Sequence, residues 1–300
     1  VQYLEYSLND GFIHNWLVAG PLAIPLQQAG NETRQELVRK FFEPHSGVVD
    51  MPVDRDHLEI AGADLIWRYY RCHEDHLVDL SLVSPLPQYL RAWAYTRLTA
   101  PSPVSVNMLL STRGLADVWL NGKPLYRKEN FQDGLQPVSF AVALEGENEL
   151  LVRFEHMGEQ DTLIQMALRM VNSHGGAAIE NIQVWVPTHA RFPHRQLKFE
   201  RALEKAYLEE VVNYRGAHIN LRWAEDVEEE LRYAYQIQDA QERIYVEGTW
   251  DINSQEPLDV GHPQRIFERP VWVVLKAPGK EYYDQNMRYQ RRLPITVLDN

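Results

Sequence analysis

The dipeptide Asn121-Gly122, set between the apolar run Leu115–Leu120 and the segment Lys123–Tyr126, constrains this chain more than any other feature. Both residues tolerate the positive φ that a type I′ turn demands, so the stretch predicts a tight β-hairpin. With Leu120 and Lys123 as its hydrogen-bonded pair, Pro124 falls opposite Trp119. A proline is tolerated there only if its missing N–H faces no further strand, which makes Lys123–Tyr126 an edge and buries Trp119 beside it. Downstream, Val138, Phe140, Val142 and Leu144 alternate on one face, and the turn Glu145-Gly146-Glu147-Asn148 leads to Leu150, Val152 and Phe154. Ile164, Met166, Leu168 and Met170 form a third such set. Consecutive half-buried antiparallel strands predict an all-β sandwich.

The remainder of the chain extends this pattern. Phe12–Ala19 reads as a strand closed by Gly20-Pro21, with Trp16 in the core. Asn31–Phe42 opens on a capping residue and carries Leu37, Val38, Phe41 and Phe42 at helical spacing, predicting a short helix over a sheet. Leu65–Arg71 and Arg91–Leu98 read as strands, and Pro101-Ser102-Pro103 separates the latter from Val104–Leu110. About eight strands result, a jelly-roll number. Ile182, Val184 and Val186 add one more, and 187–193 reads as a linker. Residues 195–208 have helical spacing, after which period two returns in Ile219/Leu221/Trp223, Tyr233/Tyr235/Ile237, 244–252, 271–276 and 293–298. The expected fold is therefore all-β: a jelly-roll β-sandwich at 1–190, then a smaller β-sandwich at 191–300, with a few short helices.

Composition narrows the partners. Forty-two Asp and Glu against thirty Lys and Arg give a net charge of −12, which disfavours nucleic acid and anionic lipid and suits neutral partners. Cys72 is the only cysteine, so an internal disulfide and a cysteine zinc cluster are both impossible. No run reaches the roughly 20 apolar residues of a membrane span, and the start lacks the basic and apolar regions of a signal peptide. The missing initiator Met and the end on a strand-like run suggest a segment cut from a longer polypeptide, so a downstream domain is an expected partner.

Asn15-Trp16-Leu17-Val18-Ala19-Gly20-Pro21, Val118-Trp119-Leu120-Asn121-Gly122 and Leu144–Val152 together resemble the galactose-binding-like jelly rolls found beside the catalytic domains of bacterial glycoside hydrolases. The resemblance covers about residues 1–190. It implies a carbohydrate-binding or spacer role and carries over Asn121, Gly122, Gly146 and Asn148 as turn residues only. The second sandwich is similar, in general terms, to immunoglobulin-like spacer domains.

Residue chemistry offers few sites. His73-Glu74-Asp75-His76 with Asp79 is the densest set of potential ligands, yet metal sites draw on more than one element, so a solvated loop is the better reading and no metal or cofactor is predicted. Glu225–Glu230 reads as an exposed acidic run, and His156, His174 and His218 lack a partnered nucleophile, so no catalytic residue is assigned. Trp93 and Tyr95 alternate with Ala92, Ala94 and Thr96, and the bulkier set is expected in a core. Sugars need aromatic faces together with hydroxyl-bonding groups. Tyr126, Arg127, Asn130, Phe131, Gln132 and Asp133, directly after the edge strand, have that composition and are the candidate ligand-binding residues for a neutral oligo- or polysaccharide. The leading expectation is a non-catalytic carbohydrate-binding or spacer region of a larger carbohydrate-active enzyme. The alternatives are a structural module packing against a neighbouring domain, and part of a glycoside hydrolase active site, where any two carboxylates could meet across a cleft.

Overall fold

A computed structural model describes residues 1–26, 33–158, 161–192, 194–209, 212–213, 219–223, 231–254, 256–258, 270–277 and 288–298. The chain divides into two compact units, Val1–Arg191 and Phe192–Asn300, and strands dominate both, as the alternation predicts. Unit 1 contains β1 (Gln2–Ser7), β2 (Asn15–Pro25), α1 (Arg34–Phe41), β3 (His57–Ile60), β4 (Ala63–Ile66), β5 (Arg68–Arg71), β6 (Val78–Asp79), β7 (Leu82–Val83), β8 (Gln88–Thr112), β9 (Leu115–Leu120), β10 (Lys123–Lys128), β11 (Pro137–Gly158), β12 (Asp161–Thr162), β13 (Gln165–Asn172) and β14 (Gln183–Thr188).

Two long strands carry the architecture. β8 and β11 pair antiparallel from Gln88↔Gly158 to Ser111↔Pro137. Sequence reading splits each of them in two; the structure keeps each whole and bends it. Register jumps from Ala100↔Gly146 to Val104↔Leu144, leaving Pro101-Ser102-Pro103 opposite Glu145 alone. A ladder interrupted at that point does not need the N–H groups that the two prolines lack, so they form a corner and not an end. On one side of the corner β8 pairs with β2 and β14, on the other with β13. The two halves thus belong to two layers, and Leu90, Leu98, Val152 and Phe154 of one meet Met108, Leu110, Val142 and Leu168 of the other in one buried core with Trp16. β2 shows the same device: it continues past Gly20-Pro21 with a register shift between Ala19 and Leu22 where the reading ended it at the proline.

The first layer is buried on its outer face too. Ala92, Ala94 and Thr96 point into the main core, while Trp93 and Tyr95 join Leu17, Trp67, Tyr69 and Val186 in a second cluster. Both alternating sets are therefore internal, where the sequence argument allowed one. The cover is the segment between α1 and β5.

At the sheet edge β9 pairs with β10 through Leu120↔Lys123 and Pro124↔Trp119, and β10 ends the strand order. Asn121 has φ +52 and Gly122 φ +74, the left-handed pair a type I′ turn requires. Leu125 is bulged, between the pairs at Pro124 and Tyr126. Trp119 is 6% exposed. Helix α1 is capped by Thr33, whose hydroxyl accepts from the Glu36 N–H at 3.3 Å while Glu36 accepts from the Thr33 N–H at 2.6 Å. Asn31, the expected cap, lies outside the described residues, as do His218 and the acidic run 225–230.

In unit 2, α2 (His194–Lys205) is followed by β15 (Ala206–Glu209), β16 (Val212–Asn213), β17 (Asn220–Trp223), β18 (Arg232–Asp239), β19 (Ile244–Asp251), β20 (Val271–Lys276), β21 (Gln290–Pro294) and β22 (Val297–Leu298). The sheet β19-β18-β20-β21 is antiparallel throughout. Tyr233, Ile237, Val273 and Leu275 point into a core closed by Phe199, Ala202 and Leu203 of α2. The helix stops earlier than its spacing suggests because Tyr207 and Leu208 pair with Arg222 and Leu221. Arg291 and Trp223 donate to the carbonyls of Leu203, Ala206 and Ala202, satisfying groups that a helix end leaves without partners.

Candidate functional site

The outer face of the first layer carries its chemistry in rows, because residues two apart on a strand share a face. Tyr95, Leu151, Trp119 and Pro124 stand in register across β8, β11, β9 and β10. The next row is Trp93, Arg153, Asp117 and Arg127, and the one after pairs Arg91 with Glu155.

The charged rows act as a clamp. Arg153 and Arg127 donate to the Asp117 carboxylate at 2.8 and 2.7 Å, and Arg91 bonds Glu155. Further donors reach backbone carbonyls at the end of α1 and just after it: Arg91 to Phe41, Arg127 to Phe42, and Arg153 to Glu43 and His45. The Phe42 ring lies 3.7 Å beneath the Arg127 guanidinium, a stacked cation–π contact. Trp93 Nε1 donates to Ser46 O at 2.8 Å. Burial pushes the Asp117 carboxyl up, against the pull of Arg127 and Arg153.

Past Ser46 the segment leaves the sheet and is tied down again at residues 51–54. Tyr3 reaches the Met51 sulfur at 3.9 Å, and the Asp54 N–H donates to Pro187 O at 3.0 Å. Gly47 makes the intervening turn at φ +78, where a Cβ would come within 2.4 Å of Ile60. Between the anchors the strap arches over the Tyr95–Leu151–Trp119–Pro124 row, with Val49 96% exposed at its crest. The space beneath is a pocket of about 620 Å³ walled by residues 44–52 on one side and Tyr95, Trp119, Gly122, Pro124, Glu149 and Leu151 on the other. That volume lies in the range of small-ligand sites.

Glu149 is held in this pocket by the hairpin turn. Its N–H donates to Asn121 Oδ1 at 2.8 Å, and its carbonyl accepts from the Asn121 N–H at 2.8 Å. Burial pushes the Tyr95 hydroxyl far up, so it keeps its proton and donates to Glu149 Oε1 at 3.4 Å. The pocket is thus lined by two largely buried aromatic side chains, by the Glu149 carboxylate and, on the strap, by the exposed His45 and Asp50.

The sequence-derived candidates lie at the other end of β10. Tyr126 stacks on Phe140 at 4.6 Å. Arg127 belongs to the clamp and also bonds Glu129 at 3.1 Å. Gln132 donates to the carbonyls of Thr112 and Gln136. Phe131 lies under Arg34 at 4.8 Å and beside His156, while Asn130 and Asp133 are exposed. This end shelters a buried Lys128, pushed down to about 8 by burial, whose ammonium donates to Thr112 O and Oγ1 and to Gly114 O. His76 stacks on Phe12 at 4.0 Å and its Nδ1 meets His14 Nε2 at 2.7 Å.

The strap, Tyr95 and Glu149 were not among the sequence candidates. Their signals are faint: a non-periodic stretch bracketed by Pro44 and Pro52, and a bulky set, Trp93 and Tyr95, opposite an equally apolar small set, which means that both faces of one strand are covered.

No family model matches the chain, and no curated protein matches it. Among solved structures it is similar to a glycoside hydrolase family 2 member from Bacteroides cellulosilyticus, at 13% identity and TM-score 0.27, over 98% of this chain and 36% of that one. A β-glucuronidase from an uncultured Clostridium aligns at 14% identity and TM-score 0.23, over 98% of this chain and 45% of that one. The PA14 domain of the antifreeze protein MpAFP aligns at 13% identity and TM-score 0.25, over 35% of this chain and 55% of that one. The chain spans less than half the length of either enzyme.

Proposed function

We propose that this chain is a carbohydrate-binding region of a larger carbohydrate-active enzyme, binding a neutral oligo- or polysaccharide without hydrolysing it. In this reading 1–190 is a galactose-binding-like jelly roll and 191–300 an immunoglobulin-like spacer. The observation that carries it is the pocket beneath the strap, where Trp119 and Tyr95 stand beside Glu149. Sugar rings pack apolar C–H faces on aromatic side chains while carboxylates accept from their hydroxyls, and a pocket supplying both is suited to such a ligand. Affinity is modest, because a half-open site covers only part of a chain-like ligand.

A second site on the same unit has an observation of its own. Asn130 and Asp133 are exposed on either side of Phe131, so the Tyr126, Arg127, Asn130, Phe131, Gln132, Asp133 loop offers a shallow platform at the far end of β10. Calorimetry of the full chain with neutral gluco-, galacto- and manno-configured oligosaccharides distinguishes the two. Loss of binding in Glu149→Ala or Tyr95→Phe, with Phe131→Ala and Asp133→Ala unaffected, supports the pocket. The converse supports the loop. Binding to none of these glycans overturns the reading and leaves a structural module that packs against a neighbouring domain.

A further inference from the structure

We infer that the pocket beneath the strap discriminates by charge, accepting neutral and amino sugars and rejecting uronic acids. This rests on the reading of the pocket as a sugar site and names the class of sugar it takes. Among the described residues, the acidic groups that line the pocket are Glu149 and Asp50. Glu149 is placed at the pocket wall by its backbone bond to Asn121, and its carboxylate accepts from Tyr95 at 3.4 Å. The nearby cations are turned elsewhere. Arg97, directly across the ladder from Glu149, donates to Glu147 at 2.7 Å and lies over the Tyr3 ring. Arg153 and Arg127 direct their donors to Asp117, Glu129 and the strap carbonyls. Lys123, next to the turn, is exposed and does not line the pocket. Among the described residues, His45 is the remaining lining group able to carry positive charge, and it too is exposed.

A sugar carboxylate entering this space would meet the Glu149 carboxylate with no bidentate Arg to receive it, and like-charge juxtaposition is how a site excludes a near-isostere. A neutral hydroxymethyl group at the same ring position would donate to Glu149. An ammonium would gain a charge-assisted bond to the Glu149 carboxylate. The repulsion acts at a half-open site, so it is partly screened and weakens with salt.

The test uses the full chain and three matched β-1,4-linked tetrasaccharides: cellotetraose, its glucosamine counterpart and its C6-carboxylate counterpart, with galacto- and manno-configured sets run in parallel. In the configuration that binds best, the neutral and amino forms should bind at least tenfold tighter than the uronate at low salt. Glu149→Gln should narrow that gap by several fold, with the circular dichroism spectrum and melting temperature unchanged. Asp50→Asn, on the exposed strap, gives a second reading with little risk to the fold. Uronate binding as tight as the neutral form, or a gap untouched by both substitutions, overturns the inference while the sugar-site reading stands. Failure of every tetrasaccharide to bind overturns both.

Discussion

Asn121 and Asn148 are hydrogen-bonded through their side chains, Nδ2 to Oδ1 at 3.1 Å, so the turn joining β9 to β10 is fastened to the strand beside it. Asn148 in turn donates to the carbonyls of Glu145 and Gly146, which brace the corner of β11. Two turns recognisable in the sequence as separate motifs are thus one network, and it ends on Glu149.

Asn121→Ala should therefore do more than strain a turn. It removes the side-chain bonds to Asn148 and Glu149 and places alanine at φ +52, for a loss of about 1–3 kcal/mol. Urea unfolding checks this, and a midpoint equal to that of the unsubstituted chain would contradict it. Asn121→Gly, which restores the backbone freedom only, should recover part of the loss.

Trp119→Ala should cost about 3–5 kcal/mol through lost transfer energy and the void left beside Leu151 and the strap. The same urea titration measures it. An unmoved midpoint would mean that the indole contributes little packing to this face.

Much of the fold is legible in these residues. Asn-Gly with Pro124 placed the hairpin, its register and its edge, because φ > 0 and a missing N–H are local demands that only a few geometries meet. The corners were misread for the same reason: Pro101, Pro103 and Pro21 carry identical local signals whether a strand ends or bends, and only the partner strand decides between the two. The pocket was the least legible part. Its walls come from 44–52, Tyr95, Trp119 and Glu149, which no sequence spacing connects, and its polar half is set by a turn that reads as purely structural. The loop 126–133 has the composition of a sugar site, and composition does not show that Arg127 and Gln132 direct donors into the fold while Asn130 and Asp133 stay exposed.

Glu155→Leu should destabilise unit 1 by about 3–5 kcal/mol, because it leaves Arg91 and Arg153 buried with one carboxylate fewer between them. Isothermal urea unfolding with the variant gives the number. The strap should loosen with it, so amide exchange at residues 43–46 should quicken in Glu155→Leu more than in Trp119→Ala.

Stability should fall with acid in a way traceable to His156. Burial, then the positive charges of Arg34, Arg113 and Lys128, push this imidazole down to about 4. The unfolded chain takes up the proton near pH 6.5 and the folded chain only near 4, so the contribution is whole above 6.5 and lost as pH falls from there towards 4. Melting temperatures at pH 7 and pH 5 should differ less in His156→Gln than in the unsubstituted chain. Equal differences would show that other groups govern the acid limb.

The bent pairing of β8 with β11 has a consequence for how unit 1 comes into being. Every rung of that ribbon joins residues far apart in the chain, and the ribbon passes through both layers. Neither layer can assemble first and wait for the other. Closure entropy must be spent on distant partners before much of the core exists, so folding should be slow and all-or-none. Amides on both sides of the Pro101–Pro103 corner should then exchange with solvent only when the whole unit opens, as a single cooperative block.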